Sequence, residues 1–173
     1  MKIETDLELI KKMGILKEKE NMEFRVYLKN MSVGTKKMDR LVHKINDEVT
    51  SQIDCTLCAN CCKITTTCFD EEDVAKFSAG LNQNIEQFKT TYLIPSEDEE
   101  GCYDTNILPC PFLEDNKCSN YINRPKECKS YPHLQNEEFT FRLFGVVANY
   151  SRCPIVYNVY EKLKQLLWRK DWR

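Results

Sequence analysis

Four cysteines fall within eight residues, Cys55-Thr-Leu-Cys58-Ala-Asn-Cys61-Cys62. No other stretch restricts the fold so strongly. Thiolates are soft ligands for zinc, cuprous copper or iron–sulfur clusters, and a C-x-x-C turn presents two sulfurs to one metal. Four more cysteines follow in short, distinctive contexts: Cys110-Pro-Phe-Leu113, Cys118, Cys128 and Cys153-Pro154. A centre drawing on both sets would tie distant parts of the chain together.

The chain of 173 residues has room for one domain with a real core. Its formal net charge of -2 gives no broad electrostatic footprint for nucleic acid or an anionic membrane. The first residues interleave Glu4, Asp6 and Glu8, with no apolar run of a secretory signal. No later stretch approaches the roughly 18 apolar residues of a membrane span. These features predict a cytoplasmic, reducing location, where clustered cysteines serve as ligands or redox groups and not as disulfides.

Periodicity predicts a mostly helical chain. Glu4 to Lys29 reads as one charged helix with a narrow apolar stripe, Phe24, Tyr27, Leu28 and Met31, followed by a break around Gly34. A stronger helix runs from Thr35 to Asp54 through Met38, Leu41, Val42, Ile45, Val49 and Ile53, with Thr35 as its cap and His43 as a non-ligand within it. Asp70 caps a helix opening on Glu71-Glu72-Asp73, whose acids suit the positive end of its dipole. Another helix starts near Asn82 and stops before Pro95. Ser96 to Gly101 is an acidic loop without calcium-loop spacing. Cys110 to Tyr121 reads as a short hairpin turning at Glu114-Asp115-Asn116, and Arg124-Pro125 opens a helical turn carrying Cys128. Phe139 to Val147 leans towards helix. Pro154 sits at the first position of a last helix, whose end carries the cations of Trp168–Arg173.

The chemistry centres on the cysteines. Cys55, Cys58 and Cys61 have the C-x2-C-x2-C spacing that opens a bacterial ferredoxin site, yet Cys62 follows at once and the Cys-Pro pairs lie far away. In a loop wrapped round a cluster, Cys55, Cys58 and Cys61 point inward together. In a continuing helix, Cys55, Cys58 and Cys62 share a stripe instead. Adjacent cysteines diverge in either case, so Cys61 and Cys62 are expected to serve different metals, or one of them a structural role. A zinc ribbon would need a second, separate C-x-x-C, which this chain lacks. Cys68 and Cys102 are read as buried small hydrophobes standing apart from the rest. No G-x-G-x-x-G and no P-loop is present, so no catalytic residue is assigned. Arg124 and His133 flank Cys128 and are candidates to tune its thiolate or to hydrogen-bond a bound sulfur.

Taken in order, Cys55-x-x-Cys58-x-x-Cys61-Cys62, Cys110-Pro-Phe-Leu113, Cys118-x-x-Tyr121, Arg124-Pro-x-x-Cys128, Tyr131-Pro-His133 and Cys153-Pro154 resemble the YkgJ-like cysteine-cluster family, the CxxCxxCC zinc- or iron-chelating domain. A small residue, often glycine, precedes the double cysteine in that family, where this chain has Asn60. The resemblance implies a bacterial-type intracellular metal-binding module. A related cluster occurs in flagellin lysine methylases, which use S-adenosylmethionine.

The expected fold is therefore a small, mainly α domain with one short β-hairpin, organised around a cysteine metal centre. The whole chain, 1–173, reads as a single domain: an N-terminal helical extension over 1–52, a metal-binding core over 53–155 and a C-terminal helix over 156–173. The ligand set is Cys55, Cys58, Cys61, Cys62, Cys110, Cys118, Cys128 and Cys153, holding an iron–sulfur cluster (4Fe-4S among the options) or Zn2+. Two alternatives stand beside metal binding alone: a protein-modifying enzyme related to the lysine methylases, and a thiol redox sensor. The expected partner is the metal ion or cluster, with no nucleic acid, no membrane and no identified protein.

Overall fold

The computed structural model describes residues 2–97 and 99–168. Among them the protein is mainly α-helical, with ten α-helices and five short strands. The residues gather into two compact units: Met1–Asp54 together with Pro132–Arg173, and Cys55–Tyr131. No helix among the described residues is long and apolar enough to cross a membrane.

The first unit is built from helices α1 (Leu7–Leu16), α2 (Glu18–Asn30) and α3 (Thr35–Thr50), and later from α9 (Leu143–Tyr150) and α10 (Pro154–Leu167). The charged N-terminal stretch is thus two helices and not one. The chain bends at Lys17, whose ammonium pairs with Glu161 on α10. Gly14 allows the approach of Ser151, because a Cβ at position 14 would lie 2.3 Å from the Ser151 Cβ. The stripe on α2 behaves as its spacing predicts at Phe24 and Leu28, which are buried. Gly34, not Thr35, precedes the first turn of α3. Met38, Val42, Ile45 and Val49 form its inner face. Asp39 on the same helix accepts from the backbone amides of Glu138 and Phe139 at 3.0 and 2.9 Å, fixing the 3-10 turn Phe139–Phe141 that leads into α9. Helix α10 begins at Pro154, whose missing N–H is harmless in a first turn. Trp168 closes it, and the expected cationic end, 169–173, lies outside the described residues.

The second unit carries the cysteine motif on two short helices, α4 (Cys55–Cys58) and α5 (Asn60–Ile64). Next come β1 (Cys68–Phe69), α6 (Glu71–Gly80), α7 (Ile85–Tyr92), β2 (Leu93–Pro95), β3 (Tyr103–Thr105), β4 (Leu113–Glu114), β5 (Lys117–Cys118) and α8 (Lys126–Ser130). Asp70 caps α6 by accepting from the Asp73 amide at 2.7 Å, and Asn84 caps α7. The hairpin β4–β5 turns on Asp115 and Asn116, both left-handed (φ 47° and 62°), the type I′ geometry such residues favour. A three-stranded antiparallel sheet, β1-β3-β2, accompanies it. No period-2 signal announces that sheet, since each strand has only two or three residues. Phe69, Val74, Phe77, Phe88, Leu93 and Phe112 make one buried cluster, with Cys110 and Cys118 packed against it.

Candidate metal centre

The cysteine motif does not continue the helix that precedes it. Helix α4 ends at Cys58, Ala59 turns left-handed (φ 48°, ψ 18°), and α5 restarts at Asn60. The special backbone position is therefore Ala59, one residue before Asn60. This break removes the shared stripe of Cys55, Cys58 and Cys62. Cys55 is exposed at the start of α4, and Cys58 is half-buried.

Adjacency predicts that Cys61 and Cys62 diverge, but their sulfurs lie 4.0 Å apart. Neighbouring Cα atoms are only about 3.8 Å apart, so rotation about χ1 brings two short side chains together although their Cα–Cβ bonds splay. The contact with Cys61, joined by the charges of Arg124 and Lys63, lowers the Cys62 thiol to about 6 against the opposing effect of burial. Arg124 is itself held in place. Its guanidinium lies 3.5 Å from the Tyr121 ring centroid, and its Nε donates to the Tyr121 carbonyl at 3.0 Å.

The charge of Cys62 acts on the thiols of Cys110, Cys118 and Cys128. The Cys110 amide donates to the Cys62 carbonyl at 2.8 Å, which joins the two motifs directly. Burial raises the thiols of Cys110 and Cys118, and the negative charge of Cys62 adds to it. The backbone amides of Phe112 and Asn120 pull the other way, towards thiolate. Cys128 is raised to about 11, chiefly by burial, with the neighbouring sulfurs reinforcing the shift and the Thr67 hydroxyl, 3.4 Å away, opposing it. The helix bearing Cys128 is docked by Lys126: its amide donates to Asp73 at 3.1 Å and its ammonium meets Asp70 and Glu72 at 2.6 and 2.8 Å. Gly80 lets the end of α6 close on Asn120 and Asn123, which a Cβ would meet at 2.5 and 2.2 Å. Asn120 in turn donates to the Phe77 carbonyl at 2.8 Å, setting the segment after Cys118.

The chemistry of this donor set fits a thiophilic metal. Several sulfurs share one neighbourhood, backbone amides and a guanidinium offset part of the burial that favours their neutral forms, and the aromatic cluster packs against two of them. The decisive finding is a match of residues 54–143 to the CxxCxxCC family, described as a "putative zinc- or iron-chelating domain". The chain belongs to this family. Neither the curated proteins nor the solved structures yield a match. The CxxCxxCC match begins one residue before Cys55 and takes in every cysteine of the second unit.

The remaining predicted residues belong to the first unit. Cys153 is buried at the start of α10, its amide donating to the Asn149 carbonyl at 2.9 Å. His133 is left-handed (φ 62°), and its carbonyl accepts from Arg142 Nη1 at 2.6 Å. His43 is half-buried on α3. Two features escape sequence reasoning. Thr67 touches Cys128, but a threonine within Thr65-Thr66-Thr67 carries no distinguishing signal. Cys68 and Cys102 are not isolated core thiols: both are half-buried, and with Glu99 they form a triad of ligand atoms within 4.8 Å of one another. Among the described residues it is there, and not around Cys62, that three donors meet this closely. The pairing of β1 with β3 that joins them is invisible without the sheet register.

Proposed function

We propose that the second unit binds zinc or iron through a thiolate centre in which Cys62 is the hub, with Cys61, Cys110, Cys118 and Cys128 as its nearest partners and Cys55 and Cys58 on the adjoining turn. The observation that carries this reading is the Cys61–Cys62 separation of 4.0 Å. Two sulfurs each about 2.3 Å from one tetrahedral ion lie roughly 3.8 Å apart, so this spacing suits a shared metal ion. Arg124 then neutralises part of the negative charge that several thiolates impose, and Thr67 directs a hydroxyl at Cys128. Burial against Phe112 and its neighbours limits solvent access to Cys110 and Cys118 and steadies their positions.

Binding couples to folding, because the ligands must lose protons and converge from separate segments. The test is anaerobic purification of the full chain, followed by metal and sulfide analysis and an absorption spectrum, for the wild type and for Cys62→Ser and Cys118→Ser. The expected result is zinc or iron in the wild type and a lower metal content in both variants. Iron with acid-labile sulfide and a broad visible band identifies a cluster, and a colourless zinc protein identifies a simple thiolate site. Metal content unchanged by both substitutions overturns the assignment of these ligands.

A further inference from the structure

A second set of metal-ligating side chains lies outside the Cys62 constellation. Cys68 Sγ, Cys102 Sγ and a carboxylate oxygen of Glu99 all lie within 4.8 Å of one another. Their convergence follows from the sheet. In the antiparallel pairing of β1 with β3, Cys68 faces Asp104 and Phe69 faces Tyr103. Side chains alternate along a strand, so Phe69 and Tyr103 point to the aromatic core. Cys68, Asp104 and, one step beyond the strand, Cys102 occupy the opposite face. Both thiols are half-buried on the face turned from the core.

The loop between β2 and β3 supplies the third donor. The Ser96 amide donates to the Cys102 carbonyl at 2.9 Å, and the Cys102 amide to the Glu99 carbonyl at 3.2 Å. Gly101, at φ +81°, permits the tight return. Glu99 is exposed, so the triad opens to solvent on one side.

A disulfide fits this placement poorly. Cys68 and Cys102 are diagonal neighbours, whose Cα atoms in an antiparallel pair stand about 7–8 Å apart. Disulfides need roughly 4.4–6.8 Å. Sulfurs on one zinc ion, by contrast, sit about 3.8 Å from each other, with a carboxylate oxygen at about 2.0–2.2 Å from the ion.

We infer that Cys68, Glu99 and Cys102 form a second site for a divalent ion of zinc type, with three protein ligands and a fourth position open to water. Binding releases the two thiol protons to solvent, and the two thiolates and one carboxylate leave the occupied site with one net negative charge. With fewer thiolates and an exposed edge, this site holds its metal less tightly than the Cys62 centre and exchanges it first.

The test uses Co2+ as the probe on the anaerobically prepared, chelator-stripped full chain. Bound Co2+ is counted by metal analysis, and thiolate ligation is read from the sulfur-to-cobalt charge-transfer band. Wild type, Cys68→Ser/Cys102→Ser, Glu99→Gln and Cys62→Ser are compared. The expected result is one equivalent fewer in the double variant than in the wild type, with the charge-transfer band of the Cys62 centre retained. Glu99→Gln keeps a charge-transfer band but weakens the second equivalent by about ten-fold or more, since loss of even an outer partner costs about that much. Cys62→Ser keeps the Cys68 equivalent. Equal stoichiometry in wild type and double variant overturns this inference and leaves the Cys62 centre standing. The converse, metal lost from the double variant but untouched by Cys62→Ser, overturns the proposed function and leaves this site. A Cys68–Cys102 disulfide found by mass in the anaerobic protein also overturns the inference.

Discussion

The link between the aromatic cluster and the cysteines can be tested by removing Phe112. This ring is 5% exposed, between Cys110 and Leu113 in sequence, with centroids 4.7 Å from Phe77, 4.9 Å from Tyr92 and 6.0 Å from Phe88. Truncating a buried phenylalanine to alanine costs about 3–5 kcal/mol through lost transfer energy and the cavity left behind. Ring pairs at these distances add about 0.5–1.5 kcal/mol each beyond area, which places Phe112→Ala in the upper half of that range. A loss of about 4 kcal/mol is large beside the roughly 5–15 kcal/mol that holds a typical domain. It corresponds to nearly a thousand-fold in an opening equilibrium. Because the chain forms two units, a single melting curve would blend their responses, and hydrogen exchange read peptide by peptide is the better assay. Peptides over Val74–Phe88 in the metal-free protein should lose about three orders of magnitude of protection, while peptides over α10 keep theirs. Alkylation of Cys110 and Cys118, which pack on the same cluster, should accelerate in parallel. Phe112→Leu should cost only about 1–2 kcal/mol. A change below about 1 kcal/mol in Phe112→Ala would refute the claim that this ring supports the cysteine-bearing hairpin.

Two predictions concern the first unit. Glu161, with its side chain 14% exposed, accepts from Tyr150 and pairs with Lys17 and with Lys164, itself 7% exposed. Glu161→Gln takes its carboxylate from Lys17 and leaves poorly solvated Lys164 with that of Glu20 alone, and should cost about 3 kcal/mol at neutral pH in chemical denaturation followed by Trp fluorescence. Burial pushes the Glu161 carboxyl up, but its donors Lys164, Lys17 and Tyr150 outweigh that and hold it below its ordinary value. The stabilisation it provides is therefore full above the unfolded carboxyl's titration and fades as pH falls through the lower folded value. The gap between wild type and Glu161→Gln should shrink on acidification, and a gap independent of pH down to acid unfolding would show that the charge is not what matters. Gly14→Ala should destabilise by about 1–3 kcal/mol despite alanine's better helix propensity, because its Cβ would sit 2.3 Å from that of Ser151. Ser151→Gly should restore most of the loss, and a neutral or stabilising Gly14→Ala in a thermal melt would show that α1 does not pack here so closely.

Much of the architecture was legible because it depends on local rules. The apolar spacing of Met38, Val42, Ile45 and Val49 defines α3, Asp70 caps α6, Pro154 opens α10, and Asp115-Asn116 turns a hairpin, all through interactions within a few residues. The family's cysteine pattern is local in the same way, which is why metal chelation could be anticipated from the chain. Three features depended on tertiary structure. Which segments share a core, with residues after Tyr131 joining those before Cys55, rests on long-range packing that periodicity does not encode. The meeting of Cys61 and Cys62 turns on side-chain rotamers, and the break between α4 and α5 on the left-handed Ala59, neither written in residue type. The Cys68–Glu99–Cys102 triad needs a register between strands of two and three residues, and a one-residue slip would put Cys68 and Cys102 on opposite faces.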